Sequence, residues 1–209
     1  MNCRRPFCNK KTMIIDLSSN NGTVDFVQLT DIDLIFIRAT LGYGDFDSNL
    51  SKNAIGADAQ GFPVGYYHFA YPHPVDDSVA DAAKQANYFC DTIAKLPAPQ
   101  ELAVDLENFS ATTDTAEDQA HYSKWLQSFI DTVVGRTGIT PIIYSYADYL
   151  NRLLLPGHTF GKYRLWLANY SSSLNPTLPR GWDSIWARQY SETGKTAGID
   201  SYVDLSKKA

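Results

Sequence analysis

Short apolar segments alternate with longer segments of helical periodicity along almost the whole chain. Each apolar segment ends in polar or glycine-rich residues, which is the pattern of a buried strand that opens into a loop. Residues 13–16, for example, form an apolar run that ends at Asp16 and is followed by a polar turn up to Gly22. The pattern predicts strands at residues 13–16, 34–39, 64–69, 101–107, 141–144, 164–168 and 184–190, with a further strand at 202–205.

Four segments between these strands are predicted to be helical. Residues 76–93 form the clearest helix, because Val79, Ala83 and Ala86 recur at helical spacing after acidic residues that suit a helix N-terminus. The other predicted helices are residues 25–30, 49–60 and 117–134, and the last two end before a glycine.

The alternation of strands and helices predicts an α/β fold. Strand–helix–strand units imply a parallel sheet with right-handed crossovers, and seven or eight such strands favour closure into a barrel. With 209 residues the chain is short for a regular eightfold barrel. We therefore expect an irregular TIM-like (β/α) barrel with a reduced set of helices, formed by a single domain.

Composition and net charge argue against two classes of protein, those that span a membrane and those that bind nucleic acid. Hydrophobic residues make up 44% of the chain, and no apolar run approaches the roughly 18 to 20 residues needed to cross a bilayer. The formal net charge of -5 argues against a nucleic-acid partner, whose phosphates require a basic face. We expect a soluble monomer with neither a nucleic-acid partner nor membrane insertion.

The cysteines and the basic N-terminal segment bear on where the protein is made. Cys3, Cys8 and Cys90 are an odd number and do not suggest a disulfide framework, so folding in a reducing cytosol is the simpler expectation. Residues 1–12 carry four basic side chains but lack the apolar stretch of a signal peptide. We expect them to form a flexible basic arm, either a simple extension or an attachment segment. A zinc site at Cys3 and Cys8 would need further ligands, and none is visible nearby.

Acidic residues follow several predicted strands, and two of them form the main candidate for chemistry. Asp105 and Glu107 are two residues apart after an apolar lead-in, so in a strand they would face the same side, about 6.6 Å apart. Two neighbouring carboxyls ionise unequally, which provides the proton donor and the negative charge that glycosidic cleavage needs. Such a pair is also common on solvated strand edges. Asp16 and Asp204 follow other strands, and each could equally be an ordinary loop or turn residue.

The ordered set of motifs resembles glycoside hydrolase family 25, the lysozymes of Chalaropsis type, from about residue 13 to residue 205. Any one motif is weak, but the whole set in the family's order is specific. The motifs are Ile15-Asp-Leu-Ser-Ser-Asn-Asn-Gly22, Phe36-Ile-Arg-Ala-Thr40, Gly61-Phe-Pro-Val-Gly-Tyr-Tyr-His-Phe69, Val104-Asp-Leu-Glu107, Leu165-Trp-Leu-Ala-Asn-Tyr170, Gln189-Tyr-Ser191 and Gly198-Ile-Asp-Ser-Tyr-Val-Asp204.

The resemblance implies roles for all four acids. Glu107 matches the general acid that protonates the leaving oxygen after N-acetylmuramic acid, and Asp105 matches its partner carboxylate. The family is thought to retain anomeric configuration through the substrate's N-acetyl oxygen, which Asp105 would orient. A carboxylate nucleophile stays open as the alternative. Asp16 and Asp204 match the remaining acids of the family's cleft.

The resemblance also implies substrate contacts from Tyr66, Tyr144 and Trp166, although such aromatic residues more often belong to a core. Two positions depart from the family pattern. Arg188 stands where tryptophan is common, and Ser206 stands where asparagine is common. These departures bear on sugar subsites and peptide-stem preference, and they remove no candidate acid.

The resemblance implies a lysozyme, an endo-acting muramidase whose partner is bacterial peptidoglycan and which needs no metal or organic cofactor. One setting is a phage endolysin made in the host cytoplasm without a signal peptide, released through a holin and acting on the cell wall. Another is a virion lysozyme attached through residues 1–12. A third reading, from a different class, is a peptidoglycan-binding module that has lost catalysis.

Overall fold

The computed structural model describes residues 13–72, 77–107, 115–173 and 175–209. The predicted basic arm at residues 1–12, with Cys3 and Cys8, lies outside the described residues. The strands are β1 (Met13–Leu17), β2 (Ile32–Leu41), β3 (Asp45–Phe46), β4 (Val64–Phe69), β5 (Glu101–Asp105), β6 (Ile142–Ser145), β7 (Leu165–Ala168), β8 (Ala187–Thr196) and β9 (Ile199–Lys208). The α-helices are α1 (Leu50–Ala59), α2 (Ser78–Ile93), α3 (Ala116–Thr137) and α4 (Ala147–Leu153).

Eight strands close into a barrel, in the order β1, β2, β4, β5, β6, β7, β8, β9 and back to β1. The short β3 is added to the end of β2 as an antiparallel extension. The α/β barrel with few helices is therefore confirmed. The direction of one strand departs from the predicted parallel sheet, because β9 runs antiparallel to both β8 and β1.

The antiparallel closure results from a tight turn between β8 and β9. Thr196 pairs with Ile199, which leaves only residues 197 and 198 for the turn, and Gly198 adopts a φ of 84°. A two-residue connection can join only antiparallel strands, because a parallel return needs a long crossover. The predicted strands at 184–190 and 202–205 are thus parts of one hairpin.

The strand pleat separates an inner core from an outer core. Along β5, Ala103 belongs to the cluster formed by strand residues inside the barrel, whereas Leu102 and Val104 belong to the cluster that includes the helices. Side chains two residues apart point to the same face of a strand. Asp105 therefore continues the inward row of Ala103, and Asp16 continues that of Ile14.

Residues 25–30 form a turn and not the predicted helix. The Asp25 carboxylate accepts hydrogen bonds from the Val27 amide at 3.1 Å and the Gln28 side chain at 2.6 Å, which closes one turn locally. The preceding Val24 bridges to Ile199, and the Asp25 amide donates to the Gly198 carbonyl. Attachment to β9 fixes the segment and prevents a longer helix.

No helix within the described ranges is long and apolar enough to cross a membrane. The two longest, α2 and α3, pack against each other on the outside of the barrel. Asp77 caps the N-terminus of α2, and Thr115 caps that of α3. The predicted helix at 76–93 is confirmed from Ser78 to Ile93, with Asp77 as its N-cap, and residue 76 lies outside the described residues.

Two glycines near the end of α3 should respond oppositely to substitution by alanine. Gly138 ends the helix at a φ of 72°, where an L side chain is strained, so Gly138→Ala should lower the free energy of unfolding by about 1 kcal/mol. Gly135 lies inside the helix with open space around its Cα, so Gly135→Ala should raise it by about 0.5 to 1 kcal/mol. Urea unfolding of both variants measures the two effects. Equal effects would contradict the left-handed cap.

Candidate active site

A pocket opens at the carboxyl ends of the parallel strands, where barrel enzymes place their active sites. It gathers six of the seven side chains predicted for the site. They are Asp16, Asp105, Glu107, Tyr144, Trp166 and Asp204. The pocket also contains residues to which the sequence reasoning gave no role, namely Ser18, Asn20, Arg38, Tyr67 and Phe69.

Asp16 and Asp204 form a carboxyl pair on adjacent strands. They are register partners between β1 and β9, and both line the pocket. Burial, followed by the negative charge of Asp204, raises the pKa of Asp16 well above its ordinary value. Two neighbouring carboxyls disfavour the state in which both are ionised. This pair therefore carries less negative charge than two separate aspartates would.

Asp105 is the most buried of the four acids. It is buried at 5% exposure, and its Oδ1 has no hydrogen-bond partner among the described residues. Burial raises its pKa well above the usual range, the charges of Glu107 and Asp16 add to this, and the Arg38 guanidinium opposes it. A buried oxygen without a partner costs free energy, so the site is built at the expense of stability.

Glu107 lies just beyond the end of β5 and is held there by its neighbour. The Leu106 amide donates to the Tyr144 carbonyl at 2.9 Å, and the Leu106 carbonyl accepts from the Ser145 hydroxyl at 2.6 Å. Burial and the charge of Asp204 raise the pKa of Glu107, against the effects of Tyr144 and Arg38. Glu107 can therefore keep a proton at a pH where an ordinary glutamate has lost it.

Arg38 supplies the positive charge of the pocket. Its guanidinium donates through Nε to Asp47 Oδ2 at 2.9 Å and through Nη2 to Ser19 Oγ at 3.2 Å. Asp47 is buried and also accepts from the Ser19 amide, which fixes the arginine in place. The sequence signal was its position on β2, two residues after the inward-facing Phe36.

Tyr66 is not a substrate contact, and that prediction was wrong. Its ring is fully buried in the outer core, and its hydroxyl donates to the Pro97 carbonyl at 3.0 Å. The next residue, Tyr67, points inward and lines the pocket. Because successive strand residues face opposite sides, an error of one position exchanges a core residue for a site residue.

Tyr66→Phe and Tyr67→Phe should therefore behave differently, although the residues are adjacent. Tyr66→Phe should leave kcat/KM on peptidoglycan unchanged and lower the free energy of unfolding by about 1 kcal/mol, for one lost hydrogen bond. Tyr67→Phe removes a hydroxyl from the pocket and should lower kcat/KM by about fivefold. Turbidity clearance of cell walls and urea unfolding measure the two quantities. A larger loss of kcat/KM in Tyr66→Phe than in Tyr67→Phe would mean that Tyr66 contributes to the site.

Tyr144 and Trp166 form an aromatic wall inside the barrel. Trp166 stacks on Phe36 with ring centroids 4.6 Å apart, and the Tyr144 ring meets Trp166 edge-on at 4.9 Å. The indole Nε1 donates to Ser206 Oγ at 2.9 Å. The departure at Ser206 is thus a hydrogen-bond acceptor that holds the tryptophan in place.

Arg188, the other departure, lies outside the pocket and orders the segment that follows β7. Its guanidinium donates to the carbonyls of Asn169 at 2.7 Å and Ser173 at 2.5 Å, and also to that of Ser171. This segment carries Tyr170, which is 47% exposed. An arginine with several donors replaces the packing that a tryptophan would provide.

His68, on β4, is fully buried and bonded to side chains on both sides of its ring. Its Nδ1 lies 2.7 Å from Thr40 Oγ1 and its Nε2 lies 3.0 Å from Gln85 Oε1, so both partners are side chains. Burial lowers the pKa of His68 to about 4. It contributes to the packing of α2 against β4, outside the pocket. The described residues contain no group of three or more His, Cys, Asp or Glu that could hold a metal ion.

Comparison with known proteins shows which family the chain matches and which proteins it is similar to. Residues 15–199 match Glycosyl hydrolases family 25. The chain is 28% identical over 195 residues to the autolytic lysozyme of Clostridium acetobutylicum, covering 92% of this chain and 54% of that protein. It thus spans about half the length of this curated relative.

Two solved structures show the same fold at comparable identity. The muramidase from Acremonium alcalophilum is 27% identical, with a TM-score of 0.77 over 95% of this chain and 94% of that one. The CTP1L endolysin is also 27% identical, with a TM-score of 0.75 over 95% of this chain and 66% of that one. With its barrel, its four pocket acids and a family match over most of its length, the chain belongs to glycosyl hydrolases family 25.

Proposed function

We propose that the chain is a peptidoglycan hydrolase, an endo-acting muramidase that cleaves the β-1,4 bond between N-acetylmuramic acid and N-acetylglucosamine. The observation that carries the proposal is the convergence of four carboxyl groups in one pocket with Glu107 at its rim. The names of the relatives, an autolytic lysozyme and a muramidase, support the same activity.

In this mechanism Glu107 donates its proton to the glycosidic oxygen as the bond to the anomeric carbon breaks. The substrate's N-acetyl oxygen attacks that carbon from the opposite face and forms a positively charged ring. Asp105 binds the amide and stabilises the charge, for which its unpaired Oδ1 is available. The Glu107 carboxylate then takes a proton from water, which opens the ring with retention. Direct attack by Asp105 is the alternative nucleophilic route.

The distribution of charge supports this division of roles. Two neighbouring carboxyls disfavour the state in which both are ionised, so Asp105 and Glu107 together hold one proton more easily than none. Arg38 opposes the rise in pKa at both residues. As positive charge develops on the sugar, ionised Asp105 becomes more favourable, and the proton remains with Glu107.

Digestion of purified peptidoglycan tests the activity. Fragments are reduced with borohydride and their new sugar ends identified by mass spectrometry. Reduced muramic ends support a muramidase, whereas reduced glucosamine ends would assign the cleavage to the other bond. Absence of products, together with sedimentation of the protein with cell walls, would support the non-catalytic binding module.

We further propose that the protein acts as a phage endolysin, made in the host cytoplasm as a monomer and released to the wall by a holin. The likeness to the CTP1L endolysin supports this setting over a virion enzyme. Expression in the host with and without a holin tests the proposal. Lysis only with the holin supports it, whereas recovery of the chain from purified virions would favour the entry role through residues 1–12.

A further inference from the structure

Tyr71 follows β4 at the carboxyl end of the strand, on the rim of the pocket, and the proposed mechanism gives it no role. It is 41% exposed although its side chain is large and aromatic. Its ring contacts that of Phe69, with the ring centroids 5.2 Å apart, and Phe69 lines the pocket. An aromatic surface therefore continues from the wall of the pocket onto the rim of the barrel.

The backbone of Tyr71 is fixed by hydrogen bonds to two neighbouring elements. The amide of Ala70, the preceding residue, donates to the Asp105 carbonyl at 3.0 Å and ties the segment to β5. Gln85 of α2, which is 1% exposed, donates through Nε2 to the Tyr71 carbonyl at 2.8 Å and accepts from the Tyr71 amide at 3.3 Å. The exposed ring is thus attached to an ordered backbone, so a ligand that contacts it does not have to order the backbone first.

The loop after β2 supports the Tyr71 side chain from one side. The Gly42 amide donates to the Phe69 carbonyl at 2.9 Å, so the two segments lie close together. A Cβ atom at position 42 would come within 3.1 Å of Tyr71 Cδ2 and 3.2 Å of Tyr71 Cβ, which is tighter than ordinary packing. Gly42 therefore lets the tyrosine pack against bare backbone while part of its side chain stays exposed.

The proposed substrate is a polymer, so sugars beyond those in the pocket must pass over the rim. The faces of pyranose rings carry C–H groups that pack on aromatic rings, and a tyrosine adds a hydroxyl that can bond to sugar hydroxyls. Tyr71 offers such a surface directly beside Phe69. A neutral aromatic ring on a fixed backbone suits an uncharged sugar ring better than an ion.

We propose that Tyr71 forms an outer sugar-binding subsite, in which its ring stacks on a pyranose of the glycan strand beyond the sugars held in the pocket. The inference rests on the proposed function, because it takes the wall glycan as the ligand. Tyr71 is not among the residues that line the pocket, so its contribution is to substrate binding. A tyrosine that merely covers Phe69 would instead affect short and long substrates equally.

Binding measured against glycan length separates these two roles. The protein carries Glu107→Gln, which slows cleavage, and is titrated with the disaccharide repeat unit and with long peptide-free glycan strands while its NMR signals are followed. Adding Tyr71→Ala should weaken binding of the long strands by about three- to tenfold, the range for one lost aromatic contact, and leave the disaccharide unaffected. With Glu107 intact, Tyr71→Ala should raise KM on long strands by a similar factor and leave kcat unchanged.

Further variants test whether the ring itself is responsible. Tyr71→Phe keeps the ring and should bind long strands almost as the wild type does. Tyr71→Leu is apolar but has no flat ring, so it should behave like Tyr71→Ala, and it replaces that variant if alanine prevents folding as judged by circular dichroism. Tyr190→Ala is the matched control, because Tyr190 is 36% exposed on β8, lies beneath Lys207 and does not line the pocket. It should leave binding and KM unchanged.

The outcomes separate this inference from the activity. Equal losses for the disaccharide and the long strands would mean that Tyr71 acts on the pocket through Phe69, and this would overturn the subsite. Unchanged binding of long strands in Tyr71→Ala would overturn it as well, even in a protein that cleaves peptidoglycan. A protein that binds long strands through Tyr71 but cleaves nothing would contradict the proposed function alone.

Discussion

Glu107→Gln should lower kcat/KM on peptidoglycan by about 10³-fold, since general acid catalysis contributes about 10² to 10⁴. Glutamine has nearly the same shape but cannot give a proton to the leaving oxygen. The loss should appear in kcat with little change in KM, because the substrate is still bound and only proton transfer is lost. Rates of release of reducing ends from solubilised wall fragments measure both quantities.

Glu117→Gln is a suitable matched control for this result. Glu117 lies in the first turn of α3 with its side chain 86% exposed, so the same chemical change occurs away from the pocket. It should leave kcat/KM unchanged. If Glu107→Gln keeps more than a tenth of the activity while the control behaves as expected, another residue must be the proton donor.

The raised pKa of Glu107 also predicts the alkaline side of the activity profile. The acid form is required, and burial with the charge of Asp204 extends this form to higher pH than for an ordinary glutamate. Activity should fall as the pH rises through the raised pKa of Glu107. Asp204→Asn removes a neighbouring negative charge and should move this fall to lower pH.

The barrel could be predicted from the sequence because its strands are marked by composition. The lead-in to Asp105 on β5 is a short apolar run between polar segments, and the same holds for the strand that ends near Asp16. The direction of β9 was harder to predict from the sequence. β9 carries no helix before it, and only the connection through Gly198 shows that it must run antiparallel.

The acids of the pocket were found because each follows an apolar strand and because all four lie in motifs that match the family in order. Aromatic side chains gave a weaker signal, since Tyr66 and Tyr67 have the same composition and differ only in which face of β4 they occupy. Gln189 was placed in a motif without a role. Its hydrogen bonds to Asp16, Tyr144 and Tyr170 join distant parts of the chain, and periodicity along the chain contains no such information.

Asp105→Asn should lower activity by about 10² to 10³-fold while making the protein more stable at neutral pH. Activity falls because asparagine cannot stabilise the positive charge that develops on the sugar. Stability rises because the substitution removes a buried negative charge that lies beside Glu107 and Asp16. Active sites often carry destabilising groups of this kind.

The pH dependence of the free energy of unfolding follows from the raised pKa of Asp105. The folded protein holds the Asp105 proton more tightly than the unfolded chain does, because burial raises the pKa of Asp105 in the fold. Between the pKa of the unfolded chain, near 4, and the raised value, the native state binds more protons, so stability falls as pH rises. The wild type should therefore lose more stability between about pH 4.5 and pH 7 than Asp105→Asn does.

Thermal melting at both pH values measures the difference. At pH 7 the variant should melt about 2 to 4 °C higher, which corresponds to about 1 kcal/mol for a domain of this size. Near pH 4.5 the advantage should shrink, because the wild-type carboxyl is then largely protonated. Asp200→Asn, at an exposed position of β9, should leave Tm unchanged at both pH values. A lower Tm for Asp105→Asn at pH 7 would mean that the ionised carboxylate stabilises the fold. The catalytic carboxyl would then not lower the stability of the folded protein.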